Sequence, residues 1–128
     1  MRMPDADAIR STISDYLAHF TANDREAWLD LFAEGATMED PIGTPLKRGR
    51  DEIGRFFDEG HSLADSIELR AVGVPIVCGA EASFSFEARP TAGGQQMCMP
   101  VIDVMTFDDD ARITTQRAFV DYTLLGPG

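Results

Sequence analysis

Cys98-Met99-Pro100-Val101-Ile102-Asp103-Val104-Met105-Thr106-Phe107 is apolar at both parities of an extended chain. Val101, Met105 and Phe107 fall on one side, Ile102 and Val104 on the other. A strand of an antiparallel sheet ordinarily keeps one wet face. Two dry faces predict helices over one side and a second subunit over the other, hence a homodimer. Around this stretch lie further strand patterns at Ile67 to Val72, Ala80 to Arg89, Gln95 to Phe107 and Ile113 to Leu124. Gly73/Pro75, Ala92-Gly93-Gly94 and Asp108-Asp109-Asp110 separate them as turn signals.

Upstream, the hydrophobic period is helical. Ile9, Ile13, Tyr16, Leu17 and Phe20 form one buried face of a helix from Ala8 to Phe20. Asn23-Asp24-Arg25-Glu26 reads as a capping box with Asn23 as the cap, opening a second helix that presents Trp28, Leu31 and Phe32 and stops at Gly35. A third helix spans Arg50 to Glu59, with Ile53, Phe56 and Phe57 on one side. Helices first and a meander of strands afterwards is an α+β order, with the helices gathered on one face of the sheet.

The 128 residues suit a single domain, 1–128, and eight Phe, two Tyr and one Trp supply a core. Eleven Lys+Arg against 22 Asp+Glu give a net charge of −11, which argues against nucleic acid or an anionic membrane as partner. With Cys78 and Cys98 twenty apart and only His19 and His61 as histidines, no structural metal site is expected. No signal peptide, membrane-spanning run or phosphate-cradling glycine loop is legible, so the chain reads as soluble and cytoplasmic. Lys47-Arg48-Gly49-Arg50 reads as a solvated loop, and Asp108-Asp109-Asp110 as a hairpin tip lacking calcium-loop spacing.

Three polar residues interrupt the apolar pattern where interruption is costly. Tyr16 lies on the buried stripe of the first helix, where its hydroxyl needs a partner. Asp103 shares a strand face with Val101 and Met105, and no Lys, Arg or His occurs between Arg89 and Arg112 to neutralise it. Either it stays protonated and becomes a hydrogen-bond donor, or folding brings it an arginine such as Arg117. Asp40, in Ala36-Thr37-Met38-Glu39-Asp40-Pro41, faces inward with Ala36 and Met38 if the segment is a strand, and otherwise forms an Asp-Pro turn. Together, two donors and a carboxylate beside one apolar cavity are what proton abstraction next to a carbonyl requires, with no metal or other cofactor.

With Tyr16, Ala36 to Gly43, Gly49-Arg50, Val101 to Met105 and Arg112-Ile113 through Ala118-Phe119, the chain resembles the bacterial ketosteroid isomerases over nearly its whole length. These belong to the wider nuclear-transport-factor-2-like and polyketide-cyclase-like superfamily. The resemblance implies three helices on a strongly curved, mostly antiparallel sheet that forms a conical apolar pocket, in a homodimer. It also implies a steroid Δ-isomerase, with Asp40 as the base and Tyr16 and protonated Asp103 as donors to a dienolate oxygen. Phe56, Phe57, Phe86, Val101, Met105 and Val120 are the expected substrate contacts. Phe32 and Phe57 stand where some members have tyrosines, and Val120 where an aromatic is usual. The rival readings are another enzyme of that superfamily, a polyketide cyclase or dehydratase, and a non-catalytic carrier of hydrophobic ligands.

Overall fold

The computed structural model describes residues 4–128. Helix α1 runs Ala6–Thr21, opened by Asp5, whose carboxylate accepts from the Asp7 N–H at 3.1 Å. Its stripe Ile9, Ile13, Tyr16, Leu17, Phe20 is buried as its spacing requires. Helix α2 is a short turn, Arg25–Leu29, and the capping differs from the expectation. Asn23 takes a left-handed backbone, φ 57°, so Asp24 is the cap and accepts from the Ala27 N–H at 3.2 Å.

The second helix also ends earlier than expected. Phe32 opens strand β1, Phe32–Glu39, and Gly35 lies inside that strand. Strand β2 is Lys47–Arg48, and helix α3 follows at Gly49–Ser62, burying Ile53, Gly54 and Phe57. Trp28 is fully buried where α1, α2, α3 and β1 meet, with the rings of Tyr16, Phe20, Phe32 and Phe57 at 4.8–5.7 Å.

The remaining strands are β3 Ser66–Cys78, β4 Glu81–Ala92, β5 Gln95–Phe107, β6 Ile113–Val120 and β7 Gly126–Pro127. Gly73/Pro75 makes no chain reversal: β3 continues through it with a bulge between Val72 and Ile76, Gly73 taking φ +74°. The reversal comes at Gly79-Ala80 instead. Nor does the last strand reach Leu124, because Tyr122–Leu124 winds into a single 3₁₀ turn capped by the Asp121 carboxylate.

The sheet order is β2-β1-β6-β5-β4-β3, with β7 pairing β5. Only β1 and β6 run parallel, so the curled, unclosed sheet is mixed and mostly antiparallel. The helices cover its inner face. On the outer face one register row joins Val72, Ser85, Ile102 and Phe119 across four strands. Its three large apolar members stay half exposed, at 51%, 47% and 50%. No helix among the described residues is long and apolar enough to cross a membrane.

Candidate active site

Strand β6 lies between β1 and β5, and its pairing to both assembles the site. Met38 stands opposite Gln116 and Glu39 opposite Arg117, so Asp40, the next residue, comes beside Ala118. From the other side Asp103 is also opposite Ala118. Ala118 is fully buried and carries only a methyl group, which leaves room above it for two carboxyls. Gln116, two residues earlier on the same face, fills the gap: its Nε2 donates to Asp40 Oδ2 at 3.0 Å and to Asp103 Oδ2 at 3.3 Å.

The environments of the two carboxyls differ. Asp103 has no exposed surface, and its Oδ1 has no hydrogen-bond partner among the described residues. Burial first, and then the neighbouring Asp40 carboxyl, push Asp103 well above the usual carboxylate range, against the Gln116 hydrogen bond and the nearby Tyr16 phenol. Of the two carboxyls it is the one held more strongly towards its protonated form. Burial also raises Asp40, but Gln116 and the Lys47 charge oppose the rise. Lys47 sits with its ammonium 5.4 Å from the centre of the Phe56 ring, at the site rather than free in a solvated loop. The Tyr16 phenol is held well above its ordinary value by burial and by the Asp103 and Asp40 carboxyls, so it keeps its proton.

Arg117 turns outward and donates to Glu39 Oε1 at 2.9 Å, which leaves no ion pair between it and Asp103. Arg50 is likewise not a free surface cation, since its guanidinium donates to the Phe32 carbonyl at 2.8 Å.

Tyr16 and Asp40 both reach a cavity of about 230 Å³ between α1, α3 and the inner face of the sheet. Phe56, Phe86, Val101 and Val120 line it, together with Phe20, Ile67, Leu69 and Met99. Tyr122, 65% exposed, stands at its rim. Three expected site residues are not on the wall. Phe57 packs in the core against Trp28, Phe20 and His61, and Met105 is fully enclosed under the sheet. Asp103 is sealed behind the wall, joined to it through Gln116 and Tyr16. The cavity lining contains no His or Arg; His61 lies 4.5 Å from the Phe20 ring and 4.4 Å from Phe57. A larger groove, about 640 Å³, follows the outer row of the sheet. Its acids, Glu87 and Asp121, bond to Arg89 and to the Thr123 backbone. Both thiols, Cys78 and Cys98, are free.

Gln116 was not legible as a site residue, and the reason is a bulge. Thr106 pairs with Thr115 but Phe107 with Ile113, so Thr114 is an extra residue in β6. Alternation counted forward from Ile113 puts Gln116 outside. Counted backward from Val120 and Ala118, it comes out inside, and that was the available signal.

Residues 13–116 match the model of the SnoaL-like domain family. Over 111 residues the chain is 40% identical to a steroid Delta-isomerase of Nocardioides simplex, covering 87% of this chain and 88% of that protein. Among solved structures, the chain superposes with a TM-score of 0.87 and 22% identity on SalBIII, an epoxide hydrolase/cyclase-like enzyme of pyran ring formation in salinomycin. That match covers 97% of this chain and 98% of the other, and at this identity it speaks for the fold.

Proposed function

The chain belongs to the SnoaL-like domain family, and we propose that within it this protein is a steroid Δ-isomerase, converting 3-oxo-Δ5-steroids to conjugated Δ4-ketones. The observation that carries the reading is one pair of carboxyls in two environments. Asp40 is on the wall of an apolar cavity with Gln116 and Lys47 favouring its charge, while Asp103 is sealed and neutral. Asp40 takes a proton from carbon 4 and returns it to carbon 6. The dienolate oxygen formed between these steps accepts from the Tyr16 phenol on the cavity wall, and neutral Asp103, sealed directly behind that wall, becomes the second donor once the bound substrate opens the wall beside Tyr16. No cofactor enters the cycle. The cavity is smaller than the ~300 Å³ at the low end of ligand sites, so a fused-ring substrate would emerge past Tyr122 at the rim.

Similarity to the Nocardioides isomerase supports this activity. Dehydration assisted by pocket histidines and epoxide opening by an Asp–Arg–Asp set are disfavoured, since neither His nor Arg lines the cavity. A passive carrier has no use for a sealed acid beside its ligand. The proposed partner is a second copy of the chain, seated on the row Val72, Ile102, Phe119.

The test is to add androst-5-ene-3,17-dione and follow conjugated-enone absorbance. Wild-type protein should produce it, and Asp40→Asn should lose roughly 10²–10⁴ in turnover while steroid binding persists. No enone from the wild type overturns the isomerase reading, and full activity in Asp40→Asn removes Asp40 as the base.

A further inference from the structure

The geometry points to Gln116 as a positioning residue that locks the base and the buried acid into one unit and assigns each carboxyl oxygen its task. This inference rests on the isomerase reading for its kinetic consequence, though not for its geometry. A primary amide nitrogen has two hydrogens, and here each has a carboxyl oxygen to meet: Asp40 Oδ2 at 3.0 Å and Asp103 Oδ2 at 3.3 Å. An oxygen that accepts from an N–H is the wrong place for a proton. The proton of neutral Asp103 therefore resides on Oδ1, the oxygen without a partner. On Asp40 the same logic leaves Oδ1 as the atom that shuttles the proton, while Oδ2 stays anchored. The bridge is itself fully buried, Gln116 being 1% exposed, so water does not compete for its hydrogens.

Gln116 also sets the working pH range of the base. The groups facing Asp40 are Tyr16 from α1, Asp103 from β5, Gln116 from β6, Lys47 from β2 and Tyr122 from the 3₁₀ turn. Of these, Gln116 and Lys47 favour the charged carboxylate, and Gln116 does so by direct contact. Removing the amide leaves burial opposed by the Lys47 charge alone, so the base must take up its proton at higher pH.

The experiment compares wild type with Gln116→Leu and Gln116→Glu. Infrared difference titration follows the Asp40 carboxyl, identified by its loss in Asp40→Asn, and the pH profile of kcat/KM is recorded alongside. In Gln116→Leu the Asp40 midpoint and the acid limb should move upward together by about one pH unit, with the loss in kcat and KM changed by less than about twofold. Gln116→Glu preserves size but, when protonated, has one hydrogen to give. It should shift the midpoint in the same direction, and it decides the question if the leucine variant does not fold. A midpoint that stays at the wild-type value in a folded variant overturns the inference. Should wild type fail to isomerise the steroid, the isomerase reading falls, while the infrared titration still judges the bridge.

Discussion

Asp103 is left without a cation, because Arg117 turns outward to Glu39 and its neighbours are Gln116, Tyr16 and the Asp40 carboxyl. Its stability consequence has a definite sign. In the unfolded chain Asp103 loses its proton near the ordinary Asp value, whereas in the folded chain burial keeps the proton on to higher pH. Between those two values the unfolded state binds fewer protons, so stability falls as pH rises through the window. Asp103→Asn cannot ionise. Denaturant titrations should find it gaining on wild type as pH rises above about 4, and a constant difference would mean that native Asp103 ionises normally. In turnover, Tyr16→Phe should cost about 10²–10³, and Asp103→Leu no more than that, as steady-state assays of both variants will test. A phenol on a buried stripe and an acid among Val101, Ile102 and Val104 are legible from neighbours alone. Gln116 is not, because its facing depends on the extra Thr114, whose hydroxyl meets that of Thr106 at 2.6 Å across the ladder.

At the scale of elements, periodicity is sound within α1, α3 and β5 and weak where two structures bury the same side chain. Phe32 is buried whether the chain there is helix or strand. Pairing with Ile113 of β6 decides for strand, with the Ile113 N–H donating to the Leu31 carbonyl at 2.9 Å. Gly73 is the opposite case, a residue whose turn signal is absorbed into a bulge at φ +74° with open space around it. Gly73→Ala should destabilise by about 1–2 kcal/mol, although an added methyl meets nothing within 4 Å. Gly35→Ala, equally open and without positive φ, should be neutral or slightly stabilising in the same thermal melts. Equal losses in the two variants would show that backbone conformation is not the cause.

Over the whole molecule, the helices satisfy only one of the two dry faces of β5. Val72, Ile102 and Phe119 remain half exposed along one row of the outer face, a patch that water solvates poorly and a self-complementary surface would cover. The proposed homodimer should sediment at twice the chain mass, and Ile102→Lys with Phe119→Glu should reduce it to the chain mass. A monomeric wild type at micromolar concentration would sink this proposal. The net charge of −11 opposes association at long range, so the dimer should tighten with added salt.

The buried stripe of α1, the apolar side of α3 and the misplaced polarity of Tyr16, Asp40 and Asp103 were determined by the sequence, because each follows from side chains within a few residues of one another. The expected order, all helices before all strands, was not, since β1 and β2 stand between α2 and α3. The tertiary structure alone decided that Asp40 and Asp103 flank Ala118, that Gln116 joins them, and that Phe57 and Met105 belong to the core. The physical reason is that these facts depend on which strands pair, on register and on one inserted residue. Pairing brings together positions dozens of residues apart, and a single bulge reverses which face a side chain takes.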